Sequence, residues 1–321
     1  MRSNKIDNLD LFTQTANSSF SKHIKTQSKR ALEIINKSIN WNKLITPLES
    51  VINRSDRGRK PFPLKLIVKC FILQTIYGLS DPRLEEEIAD RRSFQLFLDL
   101  VSGDSIPDET TICRYRELFS QYGLDRKLFK AFNKELKGYG LILEKGTLID
   151  ATIKQARTNP SNKRDADANF TVKRNKTYYG YKGHIGMDSD SKIIHTTEFT
   201  AANVHDSDMF DHITIGKEKY IIGDKGYANK KRKTHLRGQG IYCGILDKGY
   251  RNRPLSNKQK NRNKKLSAIR NAVERPFAYA KHVLNYNRCS YYTLNRNRFQ
   301  FNMVALIYNI RRYITLNCNP A

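Results

Sequence analysis

Three acidic side chains occupy positions where a carboxylate is unusual. Asp150 interrupts an apolar segment, Asp224 directly follows another, and Glu274 is the only acid in residues 251–321, which hold fifteen lysines and arginines. A carboxylate in apolar surroundings is costly unless it is paired or bound to a metal. Convergent carboxylates suit Mg²⁺, and two such ions can activate an attacking oxygen and stabilise a leaving oxygen at phosphorus. The three acids therefore predict phosphodiester chemistry with two Mg²⁺ ions, or Mn²⁺ in their place. For Glu274 alone, a structural ion pair with Arg270 is the alternative.

The elements that must position these acids begin near Gly146, where the hydrophobic period changes. Strands are predicted at 147–153, 178–188 and 192–199 as an antiparallel meander, followed by strands at 218–223 and 241–246 that alternate with helices. Glu274 lies in a segment with helical spacing, 269–284, and Pro276 indicates that its helix kinks there or starts nearby. The order predicts an α/β catalytic domain with a mixed, ribonuclease-H-like sheet, preceded by an all-α N-terminal module.

Three regions are predicted along the chain. Residues 1–60 form a basic helical segment and linker, 61–140 an all-α module, and 145–321 the catalytic domain with a basic loop at 251–265. In the module, Gly78 ends one helix, and Ser80 and Asp108 stand where the next helices begin. The module is either a DNA-binding unit or a packed spacer.

Charge indicates the class of partner. The 321-residue chain carries a net charge of +27, of which residues 151–321 contribute +21. Such a field attracts nucleic acid, and the alternatives are a basic surface that serves only solubility and an RNA-associated structural protein. No segment is apolar enough to predict a membrane span, the first residues lack the apolar stretch that would predict a signal peptide, and the five scattered cysteines predict neither disulfides nor zinc. We therefore expect a cytoplasmic, nucleoid-associated protein.

Two groups of basic residues are candidates for DNA contact. Residues 251–265 contain seven basic and no acidic residues, which predicts a DNA-tracking loop or a disordered insert that orders on DNA. Its candidate contacts are Lys258, Lys260, Arg262, Lys264 and Lys265. Lys182 and His184 alternate on a predicted strand and form the second group, for which a solvated strand face is the alternative.

Several motifs resemble those of DDE transposases of the bacterial insertion sequence five (IS-five) family. In the helical module they are Arg57-Gly58-Arg59-Lys60-Pro61, Tyr77-Gly78-Leu79-Ser80-Asp81 with Leu84-Glu85, and Pro107-Asp108 with Thr110-Thr111 and Cys113-Arg114. In the catalytic part they are Ile149-Asp150-Ala151-Thr152, Gly180-Tyr181-Lys182-Gly183-His184, Ala202-Asn203-Val204-His205-Asp206-Ser207, Gly223-Asp224-Lys225-Gly226-Tyr227 and Val273-Glu274-Arg275-Pro276-Phe277. Arg270, Glu274 and Lys281 fit the family spacing R-x3-E-x6-K, but Ser267 stands where the family has tyrosine.

The resemblance implies a role for each matching residue. Asp150, Asp224 and Glu274 would be the catalytic, metal-binding acids, and Arg270 and Lys281 would contact DNA near the cleavage site. The implied activity is cleavage at inverted-repeat transposon ends followed by attack of the freed 3′ hydroxyl on target DNA. The implied partners are double-stranded DNA with terminal inverted repeats, target DNA and a second copy of the chain in a dimer on DNA. The alternatives are a nuclease of the same fold and a decayed copy that binds DNA without cutting it.

Overall fold

A computed structural model of the chain describes residues 26–51, 61–158, 165–173 and 175–318. Residues 1–25 and 52–60, both within the predicted N-terminal segment and linker at 1–60, lie outside the described residues, and so do the arginines of the motif that begins at Arg57. The described helices before the sheet are α1 (Gln27–Ser38), α2 (Trp41–Glu49), α3 (Leu64–Tyr77), α4 (Asp81–Asp90), α5 (Arg92–Phe97), α6 (Glu109–Tyr122) and α7 (Leu124–Gly138).

The helix boundaries in this region follow from local capping. Gly78 ends α3 in the left-handed conformation, with φ 64°, which a glycine adopts without steric cost. The side chain of Ser80 accepts a hydrogen bond from the Arg83 amide at the start of α4, and Asp108 does the same for the Thr111 amide at the start of α6. The three boundaries predicted from the sequence are confirmed.

A mixed sheet follows the helices. Its strands are β1 (Gly146–Gln155), β2 (Asn169–Lys173), β3 (Lys176–Asp188), β4 (Ile194–Ala201), β5 (Tyr220–Gly223) and β6 (Tyr242–Ile245). The strand order is β2-β3-β1-β5-β6, and β4 also pairs with β3. β1, β3 and β4 pair antiparallel, whereas β5 is parallel to β1 and β6 to β5. This arrangement confirms the predicted ribonuclease-H-like fold.

The helices of the second half are α8 (Phe210–Ile213), α9 (Lys230–Gly238), α10 (Asn257–Arg270), α11 (Glu274–His282) and α12 (Leu294–Cys318). The prediction of a loop at 251–265 is wrong from residue 257 onward, because that part is helical. Ser256 and Gln259 form a capping box at the start of α10, and lysine, arginine and glutamine are good helix formers. Because charged residues dominate this segment, its sequence lacks the hydrophobic spacing from which a helix is predicted.

The last helix, α12, joins the sheet to the helical region. Its Phe299 packs edge-to-face on Phe71 of α3 at 4.9 Å between ring centroids, and its Phe301 lies against Gly183 of β3, where no side chain would fit. Buried residues of both regions form one continuous cluster. The predicted boundary near residue 140 thus separates two kinds of secondary structure that share a core. In the described parts of the chain, no helix is long and apolar enough to cross a membrane.

Candidate active site

The parallel pairing of β1 and β5 brings two of the three acids to the same edge of the sheet. Thr147 pairs with Ile221 and Leu148 with Ile222, and continuation of this register by two residues sets Asp150 opposite Asp224. Alternation along both strands then directs the two side chains to the same face. Asp224 follows the last residue of β5, so it stands at the carboxyl end of that strand, where open α/β sheets commonly bind ligands.

The third acid reaches this edge through a break between two helices. α10 ends at Arg270, a 3₁₀ turn covers Asn271–Val273, and Glu274 is the first residue of α11. Pro276 therefore lies in the first turn, where its missing N–H costs nothing, as the sequence predicted.

Arg270 links two of the carboxylates directly. One guanidinium nitrogen donates to Oδ2 of Asp150 at 3.2 Å and another donates to Oε1 of Glu274 at 3.0 Å. The side chains of Asp150 and Arg270 are 19% and 16% exposed, whereas that of Glu274 is 59% exposed. The Arg270–Glu274 ion pair, which the sequence offered as the alternative to a metal site, is thus present. The same arginine also pairs with Asp150 of β1.

Burial makes Asp150 a poor place for a negative charge. The pKa of this carboxyl is raised to about 6, mainly because burial removes it from water and also because Asp224 is negatively charged. The Ala151 amide, which donates to Oδ1 at 2.9 Å, and the Arg270 guanidinium oppose the rise. Asp150 is therefore ionised at a cost near neutral pH, and a bound cation would remove that cost.

The donor set fits a divalent cation in kind, because carboxylate oxygens are its preferred ligands and an arginine cation already lies between two of the three. Within the described ranges, however, no three His, Cys, Asp or Glu side chains lie close enough together to hold one ion. The convergence of Asp150, Asp224 and Glu274 on shared ions therefore stays a prediction.

A groove of about 650 Å³ adjoins Glu274 on this face of the sheet. Lys281, two turns beyond Glu274 on α11, is exposed and lines it. So does Lys173 of β2, which the sequence analysis missed because β2 is a short, exposed edge strand with no clear alternation. The other lining side chains that matter here are Thr152, Tyr178 and Phe277. Two exposed lysines and two aromatic rings beside Glu274 suit a nucleic-acid strand.

Lys182 and His184, predicted to face DNA, are engaged inside the protein. Lys182 Nζ donates to the Val204 carbonyl at 2.8 Å and pairs with Asp206 at 3.0 Å. His184 is fully buried, Nε2 lies 3.0 Å from the Thr200 hydroxyl, and burial lowers its pKa to about 4. Neither side chain is presented to DNA here, because the turn that follows β4 folds back over this strand face.

The five basic residues of α10 that were predicted to contact DNA divide into two groups. Arg262 donates to the carbonyls of Ile245 and Cys243 and pairs with Asp247 at 3.0 Å, so it anchors the helix to β6. The other four are exposed: Lys258, Lys260, Lys264 and Lys265. An exposed basic helix face thus replaces the expected loop from residue 257 onward, and the partly buried Arg262 is bound to β6 and Asp247 rather than to that face.

Two family models and one solved structure are similar to parts of this chain. Residues 143–310 match the family described as Transposase DDE domain, and residues 19–118 match a second family, Transposase domain (DUF772). Among solved structures, the chain is similar to a piggyBac transposase in a cryo-EM synaptic complex with hairpin DNA, at 12% identity and a TM-score of 0.43 over 88% of this chain and 72% of that one. Since the first match spans more than half of its length, the chain belongs to the transposase DDE domain family.

Proposed function

We propose that the protein is a DNA transposase of the IS-five type that cuts phosphodiester bonds at inverted-repeat transposon ends and joins the freed 3′ hydroxyl to target DNA. The observation that carries this proposal is the meeting of Asp150, Arg270 and Glu274 at the sheet edge where the β1–β5 register sets Asp224. Hydrolysis and strand transfer are the same substitution at phosphorus with water or a sugar hydroxyl as nucleophile. One site can therefore serve both steps.

In this proposal Asp150 and Asp224 hold Mg²⁺ ions, with Mn²⁺ as a substitute, and Glu274 completes the ligand set. The ions would lower the barrier by activating the attacking oxygen and neutralising charge on the leaving oxygen. Arg270 would be released from Asp150 as the carboxylates take up the ions, and it would then be free to contact a DNA phosphate. Lys281 and Lys173 would hold the strand in the groove beside Glu274.

Exposed lysines on α10 would track the DNA backbone. Lys260 and Lys264 are one turn apart, on the opposite side of the helix from the anchored Arg262. Replacing both with glutamine should weaken binding of a transposon-end duplex by about 10- to 100-fold and reduce the salt slope by about 0.9 for each phosphate that is no longer neutralised. Fluorescence anisotropy over a salt series measures both quantities.

The matched control is Lys130→Gln with Lys134→Gln, a pair of exposed lysines with the same spacing on α7. This pair should leave the salt slope nearly unchanged. An equal weakening in both double variants would show that α10 contributes only general charge, and an unaltered slope in the α10 variant would remove that helix from the interface.

The proposal extends to assembly and location. Joining two transposon ends to one target requires two active sites, so we propose that the chain acts as a dimer on DNA and works where the DNA is, in the cytoplasm at the nucleoid.

A plasmid carrying the transposon ends separates the proposed function from its rivals. Incubated with the protein and Mg²⁺, it should yield cut ends and products joined to target DNA. Cuts without joining would identify a nuclease of the same fold. A gel shift without cuts would identify a chain that binds ends but has no catalytic activity.

A further inference from the structure

Two short turns lie beside the candidate active site, and one arginine ties them together. The first is the 3₁₀ turn Asp206–Met209, after β4, and the second is the 3₁₀ turn Lys225–Tyr227, which Asp224 precedes as its N-terminal cap residue. Arg232 of α9 donates to the Ser207 hydroxyl at 2.9 Å, to the Ser207 carbonyl at 2.6 Å and to the Tyr227 carbonyl at 2.8 Å. A single planar group thus spans both turns.

The guanidinium is held in place from a further side. Its central carbon lies 4.3 Å from the centre of the Phe210 ring, and Phe210 is buried. Arginine suits such a place because its fixed fork of donors can serve several acceptors while its flat face stacks on an aromatic ring. A lysine has neither the fork nor the flat face.

The Asp206–Met209 turn is also bound to β3, the strand that pairs with β1. Lys182 of β3 donates to the Val204 carbonyl and pairs with Asp206. β3 carries Ile185 opposite Asp150 in the antiparallel ladder. A continuous set of polar contacts therefore leads from the strand beside Asp150, through the Asp206 turn and Arg232, to the turn that follows Asp224.

The second turn transmits this constraint to Asp224 over a short distance. The Tyr227 amide donates to the Asp224 carbonyl at 3.0 Å, and the Tyr227 ring is buried beside Gly223. The hydrogen bond from Arg232 to the Tyr227 carbonyl therefore restrains one end of this turn, and the backbone of Asp224 forms its other end. β5 is only four residues long and ends at Gly223, so the sheet alone does not hold Asp224.

We propose that Arg232 is a positioning residue that sets Asp224 relative to Asp150 by joining the Asp206–Met209 and Lys225–Tyr227 turns. The inference rests on the proposed function only in taking Asp224 as a metal ligand. Without Arg232 the two turns separate, Asp224 samples a wider range of positions, and the carboxylates share a cation less well. Supporting residues of this kind commonly contribute about 10- to 100-fold to metal affinity.

The test compares the variants Arg232→Lys and Arg232→Ala with the wild-type protein. Hydrogen exchange at the amides of residues 225–228 should accelerate about tenfold or more in both variants, while exchange in β1 and β3 stays as in the wild type. Mn²⁺ affinity, measured by electron paramagnetic resonance without DNA, should fall about 10- to 100-fold. Affinity for the end duplex in EDTA should not change, since Arg232 is turned to the protein.

The matched control is Arg237→Ala, which removes an exposed arginine from the same helix and should alter neither the exchange nor the Mn²⁺ affinity. Wild-type rates of hydrogen exchange at residues 225–228 in both Arg232 variants would overturn the inference. Wild-type exchange together with wild-type Mn²⁺ affinity in Arg232→Lys alone would also overturn it. If Arg232→Ala fails to fold, Arg232→Lys decides the question. If the wild type itself binds no Mn²⁺, the proposed function fails, but the exchange measurement still decides whether Arg232 joins the turns.

Discussion

Replacing any one of the three acids by its amide, as Asp150→Asn, Asp224→Asn or Glu274→Gln, should reduce strand cleavage by about three orders of magnitude or more. Metal-ion catalysis contributes several kcal/mol to such reactions, and each 1.36 kcal/mol corresponds to tenfold in rate. The amides keep the shape of each side chain but remove the charge that a divalent cation requires. Single-turnover cleavage of an uncut end, and joining of a pre-cut end to target DNA, both in Mg²⁺, measure the reduction for the two chemical steps.

The control for this experiment is DNA binding. Each variant should bind the end duplex in EDTA as well as the wild type does, because the acids repel phosphate rather than attract it. The change that matters least for the fold is Glu274→Gln, since that side chain is 59% exposed. Cleavage within tenfold of the wild-type rate in any one variant would remove that residue from the catalytic set.

At pH 8 and without metal, Asp150→Asn should make the protein more stable, by about 3 kcal/mol in the free energy of unfolding. The pKa of Asp150 is raised to about 6 in the folded chain, against about 3.9 for an unperturbed aspartate, and each pKa unit is worth 1.36 kcal/mol. A raised pKa in the folded state means that the unfolded chain gives up the proton first. The stability contributed by this group is therefore fully present below pH 4 and is lost as the pH rises through 6.

The measurement is urea unfolding in EDTA at pH 8 and pH 5. The advantage of the asparagine variant should shrink to about half at pH 5, where the folded wild type is already largely protonated at this site. As a control, Asp211→Asn replaces an exposed carboxylate on α8 and should change stability by less than about 0.5 kcal/mol at either pH. An asparagine variant that is less stable than the wild type at pH 8 would show that the Arg270 contact outweighs the cost of burial.

Loss of activity together with a gain in stability is the mark of a residue retained for its chemistry. Asp150 is flanked by Ile149, which is buried, and lies opposite Ile185, which is also buried. An apolar or neutral side chain would suit such a position better in a protein without metal. The opposite signs of the two predicted effects therefore separate a catalytic acid from a structural one.

The sequence predicted the elements of the fold well because their signals are local. The strand that carries Asp150, the helix start at Glu274 and the cap at Asp108 all follow from hydrophobic spacing and from the preferences of proline, serine and aspartate. β2 was not predicted, because it is an edge strand paired with β3 and its side chains are mostly exposed. Most of α10 was not predicted, because charged residues rather than a hydrophobic period dominate its sequence.

The partners of individual side chains were predicted less well, since they depend on contacts far apart along the chain. Alternation identified the strand face of Lys182 and His184, but it could not show that the Asp206 turn returns to that face. Likewise, no local signal distinguishes Arg262, held by carbonyls of β6, from the exposed lysines around it. Arg232 was missed for the same reason: three of its acceptor groups belong to two turns that meet only in the folded protein.

The most direct test of the proposed site is the location of divalent cations in the protein bound to a transposon end. Crystals of that complex grown with Mn²⁺ and measured at the manganese absorption edge should show anomalous density within about 2.2 Å of carboxylate oxygens of both Asp150 and Asp224, with Glu274 turned toward it and Arg270 released from Asp150. Manganese bound elsewhere, or held by Asp150 alone while Asp224 and Glu274 remain apart, would contradict the central claim.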